Sequence, residues 1–244
     1  MKNTAAIILS GGEGTRLNRG QPSPVTKVLY EVAGKPLIKY SVDVLEKIGV
    51  QEIIIVVGYK GDEIKKFLGA RYKYSIQENP LGTGDATSSG LKVLSENVQK
   101  VIVLYGGDIY ADKVIKGALD EFEKEASVVT LVTKILDEPF GFGRIVRDDK
   151  GKHKAIVEHK VATDEEKKIK EVNDGCFIFE RSWLYEKIKE ISLSKSKEYF
   201  LTDLIEMAIS KNEKVATFTI KNAKDWIGVD SPEDIRNAEK ILKG

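Results

Sequence analysis

The stretch AAIILSGGEGTRL, residues 5–17, places a short apolar run directly before a glycine-rich turn. Residues 5–9 carry no charge and include two isoleucines, a composition typical of a buried strand. The glycines that follow let backbone N–H groups approach a phosphate or a base closely, and Arg16 adds a guanidinium that matches phosphate oxygens. The segment therefore predicts a strand that ends in a ligand-binding turn, with a plain connecting turn as the alternative.

Beyond this segment, β-rich runs alternate with amphipathic stretches through the first half of the chain. The alternation predicts an α/β fold with a doubly wound, mostly parallel, Rossmann-like sheet and right-handed crossovers. The ligand crevice of such a sheet lies at the carboxyl ends of its strands. The predicted strands are residues 5–9, 53–57, 72–76, 101–105 and 127–133, and the predicted helices are residues 37–48, 62–68, 84–94 and 113–124.

The pattern changes after Pro139. Residues 143–147 and 154–158 flank a polar turn, which predicts a β-hairpin added to the sheet as a lobe of its own. The remaining patterns predict a loop or short helix at 163–170, strands at 176–179 and 215–220, helices near 183–191 and 202–211, and a last helix at 231–243 that Ser231 and Pro232 suit as a start. Because no linker interrupts the chain, residues 1–244 are expected to form one domain, with halves at about 1–135 and 136–230.

The overall charge is balanced, with 39 lysine and arginine residues against 38 aspartate and glutamate residues. This balance argues against nucleic acid or an anionic membrane as a partner, since both attract a basic excess. The apolar runs at 53–57 and 101–105 are far shorter than a membrane-spanning helix. Cys176 stands alone and no secretory leader opens the chain, which favours the cytoplasm. His153 and His159 lack zinc-like partners and are expected to be structural or exposed.

The glycine-rich turn fits neither of two common phosphate-binding motifs. It lacks the Gly-Lys-Ser/Thr of a Walker loop, and Leu17 stands where the dinucleotide fingerprint has its third glycine. Residues 9–16, Lys27 and the Gly-Lys-Pro at 34–36 instead resemble the signature of sugar nucleotidyltransferases. The resemblance extends to about Asp230, because further motifs of that family recur in the same order.

Seven later segments are similar to these family motifs. The segment QENPLGTGDA at 77–86 resembles the base-binding loop, and YGGD at 105–108 resembles the metal-binding strand end. The segments GFGRI at 141–145, IVEHK at 156–160 and EVNDG at 171–175 resemble sugar-binding elements, EYFLTD at 198–203 matches a further motif, and GVD at 228–230 resembles the element with the second metal ligand. The pattern is most similar to the uridylyltransferase domain of bacterial N-acetylglucosamine-1-phosphate uridylyltransferase.

This resemblance implies the reaction and its residues. A nucleotidyl group would pass from a nucleoside triphosphate, bound by the first half of the chain, to a sugar 1-phosphate, bound by the second, with Mg²⁺ as cofactor and pyrophosphate as product. Arg16 and Lys27 are implied to be catalytic, and Asp108 and Asp230 to hold the metal. Lys160 either contacts a phosphate or lies exposed. The implied nucleotide-binding residues are Leu9, Gly11, Gly12, Gly14, Thr15, Gln77, Gly82 and Thr83, and the implied sugar-binding residues are Gly143, Glu158 and Asn173.

Three departures from the family pattern bear on the substrates. Thr26 precedes Lys27 where proline is usual, and ten residues separate Arg16 from Lys27, a spacing nearer to the thymidylyltransferases. Val161 replaces an acid, and Asp230 replaces the asparagine of the uridylyltransferases. The expected donor is a pyrimidine triphosphate, UTP foremost, and the expected acceptor is N-acetylglucosamine 1-phosphate or glucose 1-phosphate. A thymidylyl- or cytidylyltransferase and a non-catalytic regulatory subunit that binds nucleotide-sugar are the alternatives, and assembly as a homo-oligomer stays open.

Overall fold

The computed structural model of the chain describes residues 1–12, 14, 17, 25–139, 141–159 and 161–243. Within these ranges a large sheet carries helices on both faces. The strands are β1 (Thr4–Ser10), β2 (Glu31–Val32), β3 (Lys35–Pro36), β4 (Glu52–Val57), β5 (Lys73–Ile76), β6 (Lys100–Tyr105), β7 (Asp108–Tyr110), β8 (Val129–Ile135), β9 (Arg144–Arg147), β10 (His153–Val157), β11 (Glu171–Glu180), β12 (Val215–Ile220) and β13 (Trp226–Gly228). The α-helices are α1 (Leu37–Lys47), α2 (Gly61–Leu68), α3 (Thr83–Leu91), α4 (Asp112–Glu125), α5 (Asp164–Lys167), α6 (Arg181–Lys187), α7 (Asp203–Ser210) and α8 (Pro232–Lys243).

The large sheet has nine strands among the described residues and is mostly parallel. Strands β5, β4, β1 and β6 lie side by side and run parallel. Strand β11 lies antiparallel between β6 and β8, and β12 pairs in parallel with β8. The hairpin of β9 and β10 joins the sheet where Arg144 pairs with Val172 of β11. The predicted fold class, a mostly parallel α/β sheet with an added hairpin, is confirmed, and the sheet continues across residue 135, where the two halves were expected to meet.

Apolar side chains cover both faces of this sheet. The continuous apolar run of β4 is buried from Ile53 to Val57, as expected of a strand between two helical layers. One face packs against α1 and α4 through side chains such as Ile38 and Phe122. The other face packs against α3, α6 and α7 through side chains such as Leu204. The doubly wound arrangement therefore follows from the alternation of strands and amphipathic helices.

The carboxyl ends of the parallel strands meet at one edge of the sheet. Gly11, Gln77 and Gly107 follow β1, β5 and β6 at this edge. Because β11 is antiparallel to β6, its first residues, including Asn173, lie at the same edge. The topology thus gathers segments from both halves of the chain around one crevice, where α/β sheets bind their ligands.

A two-stranded ribbon outside the main sheet places the two predicted metal ligands. Strands β7 and β13 pair antiparallel, with Gly228 directly opposite Asp108. Asp230 follows two residues after Gly228, so the ribbon carries it toward Asp108. An apolar cluster that includes Ile227 and Ala238 holds helix α8 against this ribbon. Three residues are too few for an apolar pattern to reveal, so the sequence predicted neither strand of the ribbon.

Several element boundaries differ from the sequence-based prediction. The strand expected at 176–179 begins at Glu171, so the polar residues before Gly175 belong to it. The helix expected at 84–94 ends at Leu91. The charged segment 163–170 contains the short helix α5, whose first turn is closed by a capping box between Thr163 and Glu166. Among the described residues, none of the helices is both long and apolar enough to cross a bilayer.

Candidate active site

An open cavity of about 590 Å³ lies at the carboxyl edge of the sheet. Thr15, Arg16 and Lys160 lie outside the described residues. Every predicted site residue within them lines the cavity, namely Leu9, Gly11, Gly12, Gly14, Lys27, Gln77, Gly82, Thr83, Asp108, Gly143, Glu158, Asn173 and Asp230. Residues implied to bind the nucleotide, the metal and the sugar therefore share one space.

The glycine-rich turn packs against two other walls of the cavity. A Cβ atom on Gly11 would lie 2.8 Å from Gln77 Oε1. Gly14 has a φ of +68°, and a Cβ atom there would lie 2.6 Å from Lys27 Cβ. The left-handed backbone and the contact with Lys27 require glycine at position 14, whereas a side chain at position 11 would push the Gln77 amide out of its place.

Lys27 and Asp230 form an ion pair in the wall of the cavity. Lys27 Nζ lies 2.7 Å from Asp230 Oδ1. The lysine side chain crosses Gly107, where a Cβ atom would lie 2.8 Å from Nζ and would force the end of the lysine side chain to move. The path brings the ammonium group beside the residue that precedes Asp108. The positive charge of Lys27 therefore acts on both predicted metal ligands, Asp108 and Asp230.

Helix capping does not occupy the carboxylate of Asp230. The N–H groups of Asp230 and Ser231 donate to Asp234 Oδ2 at 3.0 and 2.8 Å. The N–H of Asp234 donates in turn to Ser231 Oγ at 3.2 Å. Ser231 and Asp234 thus close the first turn of α8. The Asp230 side chain turns instead toward Lys27.

Asp108 is a buried acid, with only 6% of its surface exposed. Its pKa is raised to about 7, because burial and the carboxylate of Asp230 together outweigh the lowering effect of the Lys27 ammonium group. A divalent cation would offset the unfavourable energy of the buried Asp108 charge and the repulsion between Asp108 and Asp230. Carboxylate oxygens are the donors that Mg²⁺ prefers. Within the described ranges no three His, Cys, Asp or Glu side chains cluster as metal ligands. The pair therefore fits a cation that takes its other ligands from substrate phosphates and water.

The predicted base-binding loop is held from two sides. Gln77 Nε2 donates to Asp85 Oδ2 at 2.7 Å and to the Gly82 carbonyl at 3.1 Å. Gly82 has a φ of +97°, and a Cβ atom on it would lie 2.6 Å from the Tyr199 carbonyl. The N–H of Tyr199 donates to the Leu81 carbonyl at 2.7 Å. The segment 198–203 therefore packs against this loop and holds it in place through the backbone of Tyr199.

The three predicted sugar ligands meet at the other end of the cavity. The N–H of Asn173 donates to the Gly143 carbonyl at 3.0 Å. A Cβ atom on Gly143 would lie 3.4 Å from Glu158 Oε1, so the glycine sits directly against that carboxylate. Thr202 Oγ1 donates to Glu158 Oε1 at 3.4 Å. Burial, followed by the charges of Glu206 and Glu158, raises the pKa of the neighbouring Asp203 to about 6.

Both histidines make structural contacts, as expected. His153 Nε2 contacts Thr217 Oγ1, and His159 Nδ1 lies 3.3 Å from Arg144 Nη2. Neither histidine belongs to the described lining of the cavity. The arrangement therefore depends on carboxylates, a lysine and backbone groups.

The sequence analysis missed two lining residues with perturbed side chains. Burial raises the pKa of the Asp174 carboxyl well above its usual value. Burial, together with the charges of Glu158 and Asp108, also raises the pKa of the Tyr105 phenol. The available signal for Asp174 was a carboxylate one glycine before the apolar run CFIF, which marks a charge at the head of a buried strand.

Comparison with known proteins gives the family and the fold. The family model described as Nucleotidyl transferase matches residues 5–243. The chain is 37% identical over 245 aligned residues to Bifunctional protein GlmU of Halalkalibacterium halodurans, covering 100% of this chain and 53% of that protein. It is 35% identical to Bifunctional protein GlmU of Acetivibrio thermocellus, covering 100% of this chain and 52% of that protein. The chain thus spans about half the length of these curated relatives.

A solved structure shares the fold. It is a chain from Bacillus anthracis assigned as a glucose-1-phosphate thymidylyltransferase. The TM-score is 0.82 at 21% identity, and the match covers 98% of this chain and 95% of that one.

Proposed function

Because the chain belongs to the nucleotidyl transferase family, we propose that it transfers a nucleotidyl group from a pyrimidine nucleoside triphosphate to a sugar 1-phosphate. UTP is the favoured donor, and N-acetylglucosamine 1-phosphate or glucose 1-phosphate is the favoured acceptor. One observation carries the proposal: residues as far apart as Gly11, Gln77, Asp108, Glu158 and Asp230 line a single cavity. The segments at 156–160 and 198–203, which resemble those of the uridylyltransferase domain of bacterial N-acetylglucosamine-1-phosphate uridylyltransferase, support a uridylyl donor.

The base-binding loop supports uracil or thymine over cytosine. Since Gln77 Nε2 already donates to Asp85 and Gly82, the oxygen Oε1 is the atom left to meet a base. Oε1 accepts hydrogen bonds, and N3 of uracil or thymine carries a proton that can be donated to it. The corresponding nitrogen of cytosine is an acceptor and would face Oε1 without a proton between them.

The chemistry requires charge stabilisation more than proton transfer. An oxygen of the sugar phosphate attacks the α-phosphorus in line, the new phosphorus–oxygen bond forms, and the bond to the bridging oxygen of the β-phosphate breaks to release pyrophosphate. The attacking phosphate is already an anion, so no protein base is needed. Lys27 would place its ammonium group against the charge that develops on the α-phosphate, and Arg16 is proposed to assist from the glycine-rich turn.

Asp108 and Asp230 are the proposed ligands for Mg²⁺. Their carboxylates lie near each other, share Lys27 as a counter-ion and supply hard oxygen donors. Bound there, Mg²⁺ would neutralise charge on the triphosphate and on the departing pyrophosphate. Lys27, once released from Asp230, is then available to the α-phosphate.

A substrate panel tests the proposed function. Pyrophosphate release is measured for UTP, dTTP and CTP, each paired with glucose, glucosamine and N-acetylglucosamine 1-phosphates, with and without Mg²⁺. We expect release with UTP to require a sugar 1-phosphate and Mg²⁺ and to exceed release with CTP. Release with dTTP far above UTP would replace the uridylyl assignment by a thymidylyl one. Binding of nucleotide-sugar without release from any pair would identify a regulatory subunit.

A further inference from the structure

Asp174 carries a buried carboxyl group in the wall of the cavity, and only 3% of the residue's surface is exposed. Its position results from a break in the regular pairing of β11. The register with β8 shifts between Asn173 and Phe177, so the residues between them bulge from the ladder. Gly175 makes this possible with a φ of +92°, in contact with the ring of Tyr105. Bulges of this kind redirect side chains beside active sites.

One oxygen of this carboxyl group has a partner and the other has none. Oδ1 accepts from the N–H of Cys176 at 2.9 Å. Oδ2 has no hydrogen-bond partner among the residues that the structure describes. Lys134 acts on this carboxyl group through its charge, but the bonds of its Nζ go to the carbonyls of Ala223 and Trp226 at 3.0 and 3.2 Å. Leaving a buried polar atom unpaired is unfavourable, so we expect Oδ2 to form a hydrogen bond when a ligand is bound.

The position of Asp174 along the wall identifies the kind of ligand. It is the next residue after Asn173, at the end of the cavity formed with Gly143 and Glu158, and the charge of Asp108 acts on it. A phosphate group would be repelled by a carboxylate. A hydroxyl group can donate to a carboxylate or accept from a carboxylic acid, so it satisfies Oδ2 in either protonation state.

We propose that Asp174 Oδ2 hydrogen-bonds a ring hydroxyl of the acceptor sugar, which makes Asp174 a specificity-determining residue. This inference rests on the proposed function, because it assumes a sugar 1-phosphate in this end of the cavity. A site built to pair with one hydroxyl rejects sugars that lack it, since the buried oxygen is then left without a partner.

The test combines Asp174→Asn with a series of monodeoxy glucose 1-phosphates, each lacking one ring hydroxyl. Asparagine keeps the size and the Oδ1 acceptor for Cys176, but it places an N–H donor at Oδ2 to which a hydroxyl can still bond, so Asp174→Leu, which is of similar size and has no polar atom, is measured beside it. In the parent protein we expect the deoxy sugar that lacks the partner of Oδ2 to lose about 10- to 100-fold in kcat/KM. In Asp174→Leu that penalty should shrink to about 3-fold or less, while KM for UTP stays unchanged. Asp225→Asn is the matched control, since Asp225 pairs with Lys113 outside the described cavity lining.

Stability provides the second readout. A purely structural Asp174 predicts a lower Tm for Asp174→Asn and equal losses for every sugar. The proposal predicts a Tm no lower than that of the parent, because the variant removes a buried ionisable group. Equal deoxy-sugar penalties in the parent and in Asp174→Leu would overturn the role of Asp174 while leaving nucleotidyl transfer intact. Absence of pyrophosphate release from the parent with every sugar 1-phosphate would overturn both proposals.

Discussion

Lys27 Nζ and Asp230 Oδ1 lie 2.7 Å apart although 203 residues separate them in the chain. The pair joins the segment after the glycine-rich turn to the segment before α8. Its side chains are 21% and 35% exposed, so it faces the cavity instead of the core. An ammonium group in this position neutralises the two acids that are proposed to bind Mg²⁺. Arrival of a metal-bound triphosphate would free Lys27 for the phosphate.

Replacement of Lys27 by methionine should lower turnover even when both substrates are saturating, so that the loss does not come from weaker substrate binding. Loss of an ammonium group aimed at developing charge is expected to lower kcat by about 10²- to 10³-fold. The measurement is pyrophosphate release at saturating substrates, with circular dichroism to establish the fold. Lys35→Met is the matched control, because Lys35 also pairs with an aspartate, Asp43, but outside the described cavity lining. Equal turnover in both variants would remove Lys27 from the reaction.

Asp108→Asn should lose activity and gain stability. The neutral amide is a poor metal ligand, so turnover should fall by at least about 10²-fold. Burial raises the pKa of Asp108 to about 7, which means that the folded protein holds this carboxylate at a cost that asparagine avoids. We expect a higher Tm than that of the parent at pH 8, measured without metal. A lower Tm with unchanged turnover would contradict both parts of the account.

The fold could be predicted because strands such as β4 are continuous apolar runs and the helices beside them have a regular amphipathic pattern. The sequence also named part of the cavity lining in advance, because the glycines and charged residues of those segments resemble the motifs of a known family. The ribbon of β7 and β13 could not be predicted, since pairing between Asp108 and Gly228 leaves no periodic signal in so short a segment. The antiparallel insertion of β11 was equally hidden, because strand direction is decided by tertiary pairing.

Asp174 was missed for a related reason. Its burial depends on the register shift in β11, and a bulge is a property of two paired strands. The ion pair of Lys27 with Asp230 also depends on contacts between distant segments. Sequence patterns report local periodicity and chemistry, whereas these features arise only when the sheet is assembled.

Gly175→Ala should destabilise the fold strongly. Its φ of +92° disfavours any side chain, and a Cβ atom there would overlap the ring of Tyr105. We expect a loss of about 3 kcal/mol in the free energy of unfolding, from backbone strain and overpacking together. Gly151→Ala is the control, because Gly151 has a φ of +77° but no heavy atom within 4 Å of the added Cβ. It should lose only about 1 kcal/mol in urea denaturation; equal losses in the two variants would show that Tyr105 does not restrict the position.

His153 should make stability fall as the pH decreases. Burial, with a smaller contribution from Arg147, lowers its pKa from 6.5 to about 4, so the folded state favours the neutral ring. The unfolded chain takes up a proton below about pH 6.5. The contribution is therefore complete above that pH and is lost as the pH falls toward 4, by roughly 2 kcal/mol after allowance for partial exposure. Urea titrations of the parent and His153→Gln should diverge over this range, and parallel pH profiles would refute the assignment.

Isotope tracing tests the central claim of nucleotidyl transfer most directly. A sugar 1-phosphate carrying ¹⁸O in its phosphate oxygens is incubated with UTP and Mg²⁺, and the ¹⁸O content of each product is determined by mass spectrometry. If a sugar phosphate oxygen attacks the α-phosphorus, the nucleotide-sugar retains all of the label and the pyrophosphate contains none. Label in pyrophosphate or in free inorganic phosphate, or no nucleotide-sugar at all, would contradict the proposed reaction.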